Sequence, residues 1–148
     1  MEDKLLEKYF RIKKRYYSSG FLKRCAYYAN RKRNGMQKEY YESGALLCRV
    51  PFKNGKRNGI YKAYYLSGFL RNRIFYTNNK TNGITIGYYE SLVLETEISC
   101  VNGEDNSEEK WYFKSGMVDY AVKNENGEYG IPEYFNEDGT KKKGNWIL

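Results

Sequence analysis

The sequence predicts an all-β chain built as one elongated, single-sheet antiparallel meander of about six β-hairpins. Three observations carry this. Tyr pairs recur at a constant step of 24 residues: Tyr16-Tyr17, Tyr40-Tyr41, Tyr64-Tyr65, Tyr88-Tyr89 and Tyr112-Phe113. Turn residues keep the same register, with Ser-Gly at Ser19-Gly20, Ser43-Gly44, Ser67-Gly68 and Ser115-Gly116, and Asn-Gly at Asn34-Gly35, Asn58-Gly59 and Asn82-Gly83. The segments between these turns, such as "FLRNRIFYT" and "IYKAYYL", are rich in Tyr, Ile and Phe and too short for ordinary helices, so they read as strands. Columns that stay aligned this long identify a repeat protein.

The elements follow in order. Leu5, Tyr9, Ile12 and Tyr16 fall at helical spacing, but Ile12 also belongs to a repeat column with Met36, Ile60 and Ile84. A short N-terminal capping helix over residues 1–9, giving way to a strand near Phe10, satisfies both and would cover the first sheet edge. Repeats then occupy residues 10–142. Ser-Gly and Asn-Gly supply the positive φ of tight turns, so each unit is a hairpin and N-x-x-x-N-G is the link to the next. A sixth, shifted copy is Tyr134-Phe135 closed by Asp138-Gly139. Twelve strands about 4.8 Å apart would span roughly 55 Å. Residues 143–148, with Trp146, Ile147 and Leu148, are expected to plug the far end. The whole chain, 1–148, reads as a single domain. In the fourth unit Leu92 replaces a turn glycine, and Ser107 replaces another in the following link, which marks an irregular turn or a bend.

Composition narrows the function classes. Tyr is very frequent (17), Gly reaches 14 and His is absent. Aromatics make up 18% of the chain, which a disordered chain would not carry. Mean hydropathy is −0.87, which suits a thin sheet better than a thick two-layer core. The three Cys, with no C-x-x-C pair and no His, argue against a disulfide framework and against zinc. Free thiols point to a reducing, cytoplasmic setting. The acidic start and the lack of a long apolar run argue against a signal peptide or a membrane-spanning helix. Net charge is +8, unevenly laid out. Residues 1–80 hold 20 Lys/Arg against 5 Asp/Glu, and residues 81–148 hold 6 against 13. Such halves imply a charged partner for the first part, or head-to-tail contact between copies.

The pattern Y-Y-x-S-G-x-L followed by N-G-x-x-N-G resembles MORN repeats in their bacterial variant form, as in the YwqK-like antitoxin family. The likeness covers about residues 10 to 142. It implies a repeat sheet and a protein that binds and neutralises a toxin partner. It carries over no catalytic residues.

A two-residue Ser-Gly loop would pair Tyr17 with Leu22, Tyr41 with Leu46, Tyr65 with Leu70 and Tyr89 with Leu94. These would share a core face with Ala26, Val50, Ile74, Ile98 and Val122. The opposite face would carry Tyr16, Tyr40, Tyr64, Tyr88 and Tyr112, beside Lys14, Lys38, Lys62 and Lys110. Lys23, Leu47, Arg71, Glu95 and Asp119 would join it, as would Cys25, Arg49, Arg73 and Glu97. An odd number of loop residues would flip the assignment. The links add Arg31, Lys32, Arg33, Lys56 and Arg57 along one long edge. Most rings are expected to pack on their neighbours. The partner-binding candidates are Tyr16, Tyr40, Tyr64, Lys38, Lys62, Arg49, Arg71, Arg73 and those five link cations, because Tyr and Arg concentrate binding energy.

The expected function is therefore a non-enzymatic protein-interaction module, of the antitoxin or immunity type, which occludes a toxin or effector nuclease. Nucleic-acid binding by a basic, Tyr-rich face is the alternative, although no RRM or OB-type motif is present. Attachment to an anionic membrane surface is a third reading, without a lipidation motif to support it. An enzyme is disfavoured. Without His there is no Ser-His or Cys-His activation, and no P-loop or dinucleotide fingerprint occurs. The acidic run Glu104 to Glu109 reads as a solvated link, and Glu95 with Glu97 as surface charge. No cofactor, metal or small-molecule substrate is expected.

Overall fold

The computed structural model describes residues 10–125 and 128–143. Fifteen antiparallel strands form one open sheet, and the described residues contain no helix. The long strands are β1 (Phe10–Tyr16), β2 (Leu22–Ala29), β4 (Gly35–Tyr40), β5 (Leu46–Lys53), β7 (Gly59–Tyr64), β8 (Leu70–Thr77), β10 (Gly83–Tyr88), β11 (Leu94–Val101), β12 (Glu104–Tyr112) and β13 (Val118–Glu125). They lie side by side in chain order, as the meander reading expects. Two-residue strands β3 (Lys32–Arg33), β6 (Lys56–Arg57) and β9 (Lys80–Thr81) fold back onto β2, β5 and β8, while β14 (Glu128–Tyr129) and β15 (Glu133–Tyr134) both pair with β13. The expected N-terminal helix (1–9) and the plug residues Trp146, Ile147 and Leu148 lie outside the described residues.

Both turn types follow from their residues. Each of the first four links turns on two consecutive left-handed residues, Asn54 (φ 51°) and Gly55 (φ 86°) in the second unit, the backbone of a two-residue hairpin. The Ser-Gly turn differs from expectation. Gly20 N–H donates to the Tyr17 carbonyl at 3.0 Å, and Tyr17 N–H to the Phe21 carbonyl at 2.8 Å. The loop is therefore three residues, Ser18-Ser19-Gly20, with glycine at the left-handed position. Leu92 holds that position in the fourth unit at φ 68°, and its N–H still reaches the Tyr89 carbonyl. The turn thus survives without glycine, at a backbone cost of about 1–2 kcal/mol.

The three-residue loop corrects the pairing nearest the turn. Leu22 opposes Tyr16, not Tyr17, and the same holds for Leu46 with Tyr40 and Leu70 with Tyr64. A register shift follows at once, between Arg15 and Tyr16 in the first hairpin. One extra residue in the returning strand offsets the odd loop. Beyond the bulge, Lys14 opposes Cys25 and Lys13 opposes Ala26, so the anticipated faces are restored. The residues caught in the bulge are re-aimed. Leu47, expected on the tyrosine face, packs instead against the buried cluster of Cys48, Val50 and Ala63.

One face is the more covered. Ala26, Cys48, Val50, Tyr76, Cys100 and Val122 are buried there, with Gln37, Glu109 and Asn124 beside them. No large side chain is fully buried among the described residues, as a single layer requires. Stability comes instead from seams between units. The hydroxyl of Tyr17 donates to the Tyr40 carbonyl at 2.7 Å, Tyr41 to Tyr64 at 2.9 Å, Tyr65 to Tyr88 at 2.7 Å and Tyr89 to Tyr112 at 2.7 Å. Each such bond contributes about 0.5–1.5 kcal/mol. In the fifth unit Phe113 has no hydroxyl to offer, and the ladder ends. There Trp111 stacks on Tyr120 with centroids 4.4 Å apart.

Candidate functional site

Continuous strand pairing draws single rows of residues across the sheet. One row on the less covered face reads Lys14, Cys25, Lys38, Arg49, Lys62, Arg73, Ile86, Glu97 and Lys110, each opposite the next. Four consecutive members, Lys38, Arg49, Lys62 and Arg73, are cations on four adjacent strands. Strand spacing of about 4.8 Å places them over roughly 14 Å. Like charges set directly opposite destabilise a sheet, yet none of the four makes an ion pair among the described residues. Lys38 and Arg73 are exposed, while Lys62 and Arg49 are half-buried. The Arg49 Nε is shielded from solvent and has no hydrogen-bond partner.

Two apolar rows flank the cations. Toward the turns run Tyr16, Leu22, Tyr40, Leu46, Tyr64 and Leu70, paired in that order within their hairpins. On the other side run Ile12 opposite Tyr27, Met36 opposite Pro51, and Ile60 opposite Phe75. Ile12, Tyr27, Ile60 and Phe75 are all exposed. The face is therefore a basic stripe between two apolar ones, a pattern that offers contact area.

Of the expected candidates, Tyr16, Tyr40, Tyr64, Lys38, Arg49, Lys62 and Arg73 share this face. Arg71 lies in a bulge, with its guanidinium 5.6 Å from the Tyr65 ring. Arg31, Lys32 and Lys56 are exposed along the link edge. Arg33 and Arg57 are corrected: they sit on the covered face, stacked over Phe52 at 5.0 Å and over Tyr76 at 4.2 Å. The second apolar row was missed by sequence reasoning, although Ile12, Met36 and Ile60 stand in one repeat column.

Three lysines of the acidic half have carboxylate partners. Lys110 binds Glu108 at 2.7 Å, Lys141 binds Glu133 at 2.7 Å and Lys142 approaches Asp119 at 3.5 Å. The hydroxyl of Tyr112 donates to Glu97 Oε2 at 3.1 Å. Burial first, and that carboxylate second, hold the Tyr112 phenol above its ordinary range. An open hollow of about 930 Å³ lies at this end, lined in part by Glu108, Lys123, Tyr129 and Glu133. Two of these carboxylates, Glu108 and Glu133, are the ones that Lys110 and Lys141 engage.

Burial pushes the Cys48 thiol up to about 11 and the Tyr61 phenol up to about 12. Cys48 is thus an inert packing thiol at neutral pH. Among the described residues no group of three His, Cys, Asp or Glu side chains is placed to hold a metal, and no helix is long and apolar enough to cross a membrane. No family model matches the chain, and no curated protein matches it.

Proposed function

We propose that this chain is a non-catalytic protein-interaction module of the antitoxin or immunity type. It acts in a reducing cytoplasm and covers an acidic surface on a toxin or effector nuclease. The reading is carried by one observation: four adjacent cations that have no counter-charge among the described residues, an arrangement that like-charge repulsion across strands makes costly. A partner that supplies the missing negative charge recovers that cost on binding and is steered to the face by it. The flanking Tyr, Leu, Ile and Phe side chains add the aromatic and apolar contacts on which protein interfaces rely. The likeness of the repeats to the YwqK-like pattern supports the same class.

The test is co-purification from the native host with tagged wild-type protein and with the double variant R49A/R73A. A single stoichiometric protein partner, lost in the variant, is the expected result. Absence of any such partner under mild salt refutes the module. Nucleic-acid binding draws on the same face through ring stacking and phosphate contacts. A salt-sensitive gel shift with single-stranded RNA or DNA, in the absence of any captured protein, would favour that alternative.

A further inference from the structure

The repeat supplies its own model of what the basic face holds. Around Lys110, the Tyr112 hydroxyl donates to Glu97, and Glu97 stands directly opposite Lys110 across the strands. Two repeats earlier the equivalent positions are Lys62, Tyr64 and Arg49. The backbone pairing is the same, with Arg49 opposite Lys62. The carboxylate is missing, and a guanidinium stands in its place. Every group there is then a donor. The Tyr64 hydroxyl makes no hydrogen bond among the described residues, and Arg49 Nε is shielded and unbonded. Lys38 with Tyr40 repeats the arrangement one unit further back, where Cys25 fills the third position.

Resting on the proposed interaction module, we propose that the site formed by Lys62, Tyr64 and Arg49 takes a carboxylate side chain from an acidic segment of the protein partner. That carboxylate meets the Lys62 ammonium, the Tyr64 hydroxyl and the Arg49 guanidinium, and takes up the phenol that corresponds to the one Glu97 takes up from Tyr112. Lys38 and Tyr40 take a second one, two strands away. Partner carboxylates therefore fall about 10 Å apart, twice the strand spacing. A carboxylate is favoured over a phosphate because the built-in occupant is a carboxylate. The two apolar rows also match side chains flanking an acidic stripe better than they match a sugar–phosphate backbone. Arg adds planar, two-pronged recognition of the same group.

The test uses the full chain and a labelled oligo-glutamate peptide, with oligo-glutamine and oligo-deoxythymidine of equal length as comparisons. The glutamate peptide binds the wild type in a salt-sensitive way, and oligo-glutamine does not. R49E/R73E supplies the carboxylate internally, so it loses at least about tenfold in affinity for the peptide. Circular dichroism shows that it remains folded. R49Q/R73Q gives a smaller loss and serves if the double-glutamate variant does not fold. Equal peptide binding by wild type and the folded variant overturns the proposal, as does tighter binding of oligo-deoxythymidine than of oligo-glutamate. A host partner still captured by R49E/R73E sinks the carboxylate site and leaves the module standing. Absence of any host partner for the wild type, with the peptide bound by the wild type and lost in R49E/R73E, does the reverse.

Discussion

The first three units and the last two share one backbone and differ in how they settle charge. In both halves a Tyr follows two residues after the row position, and the hydroxyl seam recurs every 24 residues. In the acidic half, Glu97, Glu108 and Glu133 take up neighbouring donors. In the basic half, Lys38, Arg49, Lys62 and Arg73 stand in a line with no ion-pair partner among the described residues. The comparison separates what the fold needs from what it presents. Seams and turns are common property, whereas the row is free to differ.

The sharpest break compares two link glycines. Gly59 lies at φ 109°, and an added Cβ would meet the Pro51 Cγ at 3.1 Å. Gly83 lies at φ 85° with nothing within 4 Å. Gly59→Ala should therefore cost about 2–3 kcal/mol and Gly83→Ala about 1–2 kcal/mol in urea unfolding. Equal costs would show that the side-chain clash is relieved by local movement.

A second test imposes the basic condition on the acidic half. Glu97→Lys removes the acceptor of Tyr112 and sets a cation opposite Lys110, so a loss of about 1–2 kcal/mol is expected. An unchanged stability would mean that uncompensated cations are costless on this face, removing the physical basis of the proposed function. Tyr65→Phe and Tyr89→Phe should each cost about 1 kcal/mol. The two values should agree within error, because the seam is the same in both halves.

The gentlest probe is alkaline titration. Cys48 and Tyr61 both have folded-state values raised above the unfolded ones by burial. Their contribution is present in full below about pH 9 and is lost as the pH climbs through about 11 and 12. Thermal unfolding should show a falling midpoint over that window. Val50→Ala, which loosens the cluster around Cys48 and lessens its burial, should leave the onset in place and make the fall smaller.

Much of this architecture was legible because turn chemistry is local. Asn-Gly and Ser-Gly dictate positive φ wherever they occur, and a fixed period repeats the dictation. The hairpin register was less legible. A three-residue loop and a following bulge have no sequence mark of their own, and their shifts cancel beyond Arg15. The faces were thus anticipated correctly for Lys14, Cys25 and Ala26, while Leu22 and Leu47 were misplaced. The cation row could be listed as separate residues, but its continuity depends on pairing between hairpins, which no single unit encodes. Arg33 and Arg57 read as exposed edge charges because their stacking on Phe52 and Tyr76 joins residues nearly a full unit apart. The pairing of Tyr112 with Glu97 escaped notice for the same reason.

The phenol-to-carbonyl seams have an evolutionary consequence. Each one joins a side chain to a main-chain oxygen, so it does not depend on the identity of the residue that receives it. A unit can be duplicated, lost or recharged, and the joint to its neighbour is remade automatically. A lineage of such chains can therefore redraft its outward lettering one panel at a time without rebuilding the frame.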